Sequence, residues 1–196
     1  MKYCYLMLFA IVLSFVYIFT ARSQGLDTSL PLYNRDIYLR GEINEAMAFK
    51  IGEEIASLNA SGDSEITLHI TSPGGEVYAG LMIYDYMMES KAPIRTSCEG
   101  YCMSMGAYLL ASGTTRQSSA HATIMLHQVG SRVEGKINEM LEELSESQRL
   151  QGVLNEILSK RSGLTTTQLD KIEDHDNFMT PEEAKTLNLI DVVVGQ

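Results

Sequence analysis

The sequence predicts an α/β layer fold, and three observations predict it. Strand-like and helix-like patterns alternate along most of the chain. Ile66, Leu68 and Ile70 alternate with Thr67, His69 and Thr71, the period-2 mark of a half-buried strand. A long stretch from Gly135 to Arg161 instead sets Ile137, Met140, Leu141, Leu144, Val153, Leu154, Ile157 and Leu158 along one helical stripe. At 196 residues the chain suits one domain whose core needs no disulfide support.

The elements follow in order. Asp36 to Arg40 reads as a strand, and Glu45 to Leu58 as a helix with Met47, Ile51, Ile55 and Leu58 on one face. Ser72-Pro73-Gly74-Gly75 breaks the next strand, and a helix then carries Val77, Leu81, Tyr84 and Met88. Ile94 to Ser97 reads as a strand, Met105 to Ala111 as a small-residue helix, and Ala122 to Leu126 as a buried strand. Ser162-Gly163 stops the long helix. Thr165 with Gln168, and Thr180 with Glu183, fit capping boxes; Pro181 sits at a first helical position, where its missing N–H costs nothing. Leu189 to Val194 closes the chain as a strand.

The formal charge is −10, from 15 basic and 25 acidic residues. That balance excludes a nucleic-acid partner, which needs a basic footprint. Tyr3 to Thr20 carries no charge, between Lys2 and Arg22. A membrane helix needs about 17–25 such residues, and Ala21-Arg22-Ser23 also fits a signal-peptide cleavage site. Residues 1–23 are therefore expected to be a membrane anchor or signal peptide, 24–34 a linker and 35–196 the folded domain. A membrane partner and a membrane-anchored or exported location follow, with the domain cytoplasmic if the anchor faces inward. The three cysteines, Cys4, Cys98 and Cys102, lack neighbours at metal-ligand spacing. Cys98 and Cys102 read as small apolar packers whose spacing suits one helix face.

Ser104, His127 and Asp176 carry the chemistry. Serine is a poor nucleophile until a histidine takes its proton and an acid fixes the histidine's tautomer. Ser104 sits at a strand-to-helix junction, where free N–H groups and the helix dipole suit a developing oxyanion. The N–H groups of Gly75 and Met105 are the candidate oxyanion hole. His127 ends a strand, and Asp176 lies in Asp174-His175-Asp176, where neighbouring groups compete for its role. No metal, nucleotide or other cofactor is needed for such a reaction.

Ser72-Pro73-Gly74-Gly75-Glu76-Val77-Tyr78-Ala79-Gly80, Ser104-Met105-Gly106-Ala107, Met125-Leu126-His127-Gln128 and Asp176-Asn177-Phe178-Met179-Thr180-Pro181-Glu182-Glu183-Ala184 resemble the proteolytic subunit of Clp protease, ClpP. The resemblance runs from about Asp36 to Val193. It implies a ClpP/crotonase-like fold, a Ser104–His127–Asp176 triad and hydrolysis of peptides or unfolded proteins. It also implies a homo-oligomer of two stacked heptamers enclosing a chamber, with the long helix as a handle between rings. A separate AAA+ ATPase unfoldase would feed that chamber. Two segments depart from the family pattern. Gln24 to Asn34 has no counterpart of the family's pore-lining segment, and Val129-Gly130-Ser131-Arg132 lacks its proline and paired glycines. Three alternatives stand beside this reading. They are a membrane-bound signal-peptide-peptidase-type protease with a lysine such as Lys136 as base, an acyl-CoA enzyme of the crotonase type, and a non-catalytic ring subunit.

Overall fold

The computed structural model describes residues 34–130 and 134–195. Its elements are β1 (Asp36–Arg40), α1 (Glu45–Ser61), β2 (Ile66–Ser72), α2 (Val77–Glu89), β3 (Ile94–Met103), α3 (Met105–Ala111), β4 (Thr115–Ser119), β5 (Thr123–Leu126), α4 (Ile137–Ser162), α5 (Thr166–Ile172), β6 (Asn177–Met179), α6 (Pro181–Thr186) and β7 (Val192–Val194). The α/β alternation read from the sequence is the architecture observed. Strands β1-β2-β3-β4-β7 form a parallel path. Strand β5 adds parallel to β3, and β6 adds antiparallel to β5.

Local chemistry sets the element ends. Asn44 starts α1 by accepting a hydrogen bond from Met47 N at 2.9 Å. Both expected capping boxes form, at Thr165 with Gln168 and at Thr180 with Glu183. The core is one apolar cluster in which Ile37, Leu39, Ile66, Leu68, Ile70 and Ile83 are fully buried. Helix α4 divides its stripe between two environments. Leu150, Leu154, Ile157 and Leu158 are buried, while Met140, Leu141, Leu144 and Ile137 (76 % exposed) face outward.

Strand β3 changes neighbours partway along. Residues 95–98 pair with β4, and residues 101–103 pair with β5. On the opposite edge β2 follows throughout, but its register shifts so that Ile70 meets Cys98 and Ser72 meets Cys102. Four extended residues span about 13 Å, yet the Cα atoms of Cys98 and Cys102 lie 5.9 Å apart. Glu99-Gly100-Tyr101 is therefore a bulge, and a Cys98–Cys102 disulfide closes its base. The two cysteines are buried as expected, but they lie on a strand and are bonded to each other.

Strands β4 and β6 escape a reading by hydrophobic pattern. The inward residues of β4 include Arg116 and Ser118, both buried and polar. The Arg116 guanidinium donates to Asp191 Oδ1 and Oδ2 at 2.5 and 3.0 Å and to the Asn188 carbonyl at 2.7 Å. It also reaches Asn188 Oδ1 and the Arg161 carbonyl. Arg116→Leu should cost about 1–3 kcal/mol, because it removes the charge-assisted hydrogen bonds of a buried guanidinium, while Asp191 and Asn188 lie at the surface and turn to water. Urea unfolding at neutral pH measures it. Arg116 holds the Asp191 carboxyl below its ordinary value. Asp191's share of the stability is therefore present above the usual carboxylate range, about pH 3.9, and is lost as pH falls through the depressed value.

The amino-terminal membrane expectation is corrected. Among the described residues no helix is long and apolar enough to cross a membrane. The membrane partner and the membrane-based location drawn from that segment are withdrawn; residues 1–23 themselves lie outside the described residues.

Candidate active site

Three chain segments converge at one end of β3, β5 and β6. Strand β3 ends at Met103, and Ser104 then turns the chain directly into α3. The turn is tight enough to hold Ser104 at φ 50°, ψ −127°, a conformation that L-residues other than glycine rarely adopt. Its N–H donates to the Met125 carbonyl at 2.8 Å, which ties the turn to β5. His127 follows the last residue of β5. Because Leu126 pairs with Asn177 in an antiparallel ladder, the next step places His127 opposite Asp176. Their Nδ1 and Oδ1 atoms are 3.8 Å apart, within ion-pair reach and beyond a hydrogen bond.

Ser104 and His127 line one cleft of about 130 Å³ with Gly75, Val77, Met105, Tyr108, Gln128, Val129, Gly130 and Leu154. No hydrogen bond joins Ser104 to His127 in this structure. Such contacts are often long without substrate and tighten when it binds. Asp176 lies beside His127 but does not line the cleft, and it is more exposed than His127. Four of the five residues singled out from the sequence, Gly75, Ser104, Met105 and His127, line this cleft, and Asp176 is tied to it only through His127. No lysine lines the cleft among the described residues; Lys136 is exposed and pairs with Glu139 at 3.4 Å.

The two glycines beside Ser104 answer to different contacts. A Cβ on Gly74 would sit 2.6 Å from Ser104 Cβ and 3.0 Å from its Oγ. One on Gly75 would fall on the Ile43 carbonyl, because Ile43 forms a bridge with Gly75 through Ile43 N to Gly74 O and Glu76 N to Ile43 O. Among the described residues, Gly75 N–H has no acceptor, and neither has Met105 N–H, at the first position of α3. Both residues line the cleft that holds Ser104 Oγ.

A buried polar chain behind the cleft carries no sequence signature. Tyr108 of α3 donates to Glu173 Oε1 at 2.7 Å, and Gln151 of α4 donates to Glu173 Oε2 at 2.7 Å. Glu173 is 0 % exposed. Burial pushes its carboxyl up to about 7, and Asp170 adds to the rise while Tyr108 and Gln151 oppose it. Burial, with Glu173 alongside, also drives the Tyr108 hydroxyl well above its ordinary value. Nothing in the run Glu173-Asp174-His175-Asp176 marks which acid turns inward.

A family model described as Clp protease matches residues 23–196, which includes every residue of this cleft.

Proposed function

Because the chain belongs to the Clp protease family, we propose that this cleft hydrolyses peptide bonds by an activated serine. The observation that carries the reading is Ser104, held in a strained turn beside His127 in a cleft with two undirected backbone donors. Ser104 Oγ attacks the peptide carbonyl while His127 takes its proton. Asp176 steadies the imidazolium across the β5–β6 ladder. The Gly75 and Met105 N–H groups receive the oxyanion. His127 then returns its proton to the departing amine, and water releases the acyl-enzyme.

Assembly belongs to the same proposal. The exposed apolar half of α4 supports packing against copies of this chain, as expected of a ring. Substrates are then peptides or unfolded proteins, delivered by an ATP-driven unfoldase. The test is a fluorophosphonate probe on the purified chain, with the adduct located by mass spectrometry and the assembly sized beforehand. Labelling at Ser104, abolished in His127→Ala, is the expected result. An assembled, folded protein that takes no label at Ser104 overturns the reading and leaves the non-catalytic ring subunit in its place.

A further inference from the structure

The segment that follows His127 is held by one main-chain and one side-chain acceptor from residues that do not line the cleft. Gln128 N donates to the Glu173 carbonyl at 3.0 Å, and Val129 N donates to Gln151 Oε1 at 2.6 Å. Gln128 and Val129 form part of the wall that faces Ser104. A backbone N–H can only donate, so the Val129 bond fixes the Gln151 carboxamide with its oxygen toward β5. Its Nε2 must then find acceptors, and it has two: Glu173 Oε2 at 2.7 Å and Asn155 Oδ1 at 2.8 Å. Asn155 in turn donates to Asp170 Oδ1 at 2.7 Å, and Tyr108 takes the other Glu173 oxygen. The polarity runs one way through the chain, from the Glu173 carboxyl, whose two oxygens face the Tyr108 hydroxyl and Gln151 Nε2, to the backbone beside the histidine.

We propose that Gln151 and Glu173 are positioning residues that lock the Gln128–Val129 segment, and with it His127, in register with Ser104. The proposal rests on the reading of the cleft as a peptidase site. Neither residue touches the reacting atoms. Glu173 acts by orienting Gln151, and Gln151 acts by holding Val129. A packing role alone does not account for the arrangement, since an ionisable carboxyl is a costly group to bury and an apolar pair fills the same space without it. The direction of each hydrogen bond is what the two side chains supply.

That direction makes the test specific, because the two groups can be exchanged. Gln151→Glu replaces the Nε2 donor with an oxygen. At a pH well above the value of about 7 to which Glu173 is already raised, two carboxylates then face each other with no donor between them. Adding Glu173→Gln restores one, with the new amide donating to residue 151 while residue 151 still accepts from Val129. In the full-length chain, Gln151→Glu should slow fluorophosphonate labelling of Ser104 and lower kcat on a short peptide by about tenfold to a hundredfold, the scale of a misplacement near 1 Å. Peptide KM should change less than kcat. Hydrogen exchange at the Val129 amide should speed up. The exchanged pair should recover labelling, kcat and exchange protection together, short of wild type because Asn155 Oδ1 loses its donor while its bond to Asp170 stays. Unchanged labelling and exchange in Gln151→Glu, or an exchanged pair as impaired as Gln151→Glu alone, overturns the proposal. A wild type that takes no label overturns the peptidase reading separately, and the Val129 exchange rates still decide whether this pair holds the segment.

Discussion

Ser104→Gly should abolish turnover and leave the domain as stable as wild type, or more stable by about 1–2 kcal/mol. The serine holds φ 50°, a region where a Cβ crowds the following carbonyl and costs about 1–3 kcal/mol. Glycine adopts it freely and returns roughly 0.5–1 kcal/mol through its more flexible unfolded chain. Loss of Oγ removes the proposed nucleophile, and a serine triad stripped of its serine loses about six orders of magnitude in rate. Urea midpoints and fluorophosphonate labelling read the two effects separately. A glycine variant clearly less stable than wild type contradicts the strain, whatever its activity.

Gly75→Ala should cost activity and stability together. Its new methyl falls on the Ile43 carbonyl, so the Ile43–Gly75 bridge must part and the Gly75 N–H must move. Loss of one oxyanion donor lowers kcat by about 10²–10³. The natural control is Gly62, with φ +143° against +151° for Gly75 and nothing within 4 Å of a built Cβ. Gly62→Ala carries the same backbone penalty without the collision. Its stability should fall modestly and its kcat should hold. Equal loss of kcat in both variants would remove Gly75 from the oxyanion role.

The parts of this site that were legible in the sequence are those made by local patterns. Ser104 and His127 stand at strand ends, and a strand end announces itself through its alternation and the glycine or small residues that follow. The capping boxes at Thr165 and Thr180 were legible because the cap and its partner lie three residues apart. What the sequence withheld depends on partners far along the chain. Strand β4 turns Arg116 inward, and its acceptors Asn188 and Asp191 lie more than seventy residues away. Glu173 is solvated or buried according to where Tyr108 and Gln151 fall, and no period marks that. The stripe on α4 was correctly apolar, but a stripe cannot tell which of its turns a single chain covers. The bond between Cys98 and Cys102 needed a bulge that four consecutive strand residues do not advertise.

The change of neighbours along β3 divides labour within one strand. Before the bulge, β3 belongs with β4 and β7, where Arg116 and Asp191 hold the sheet edge. After it, β3 belongs with β5 and β6, which deliver His127 and Asp176. Away from β2 and the Cys98–Cys102 disulfide, which both halves share, substitutions on the β4–β7 side and the β5–β6 side touch different neighbours, so their free-energy effects should add. An engineer can therefore raise heat tolerance through the β4–β7 half and retune turnover through the β5–β6 half, as two dials on one ribbon.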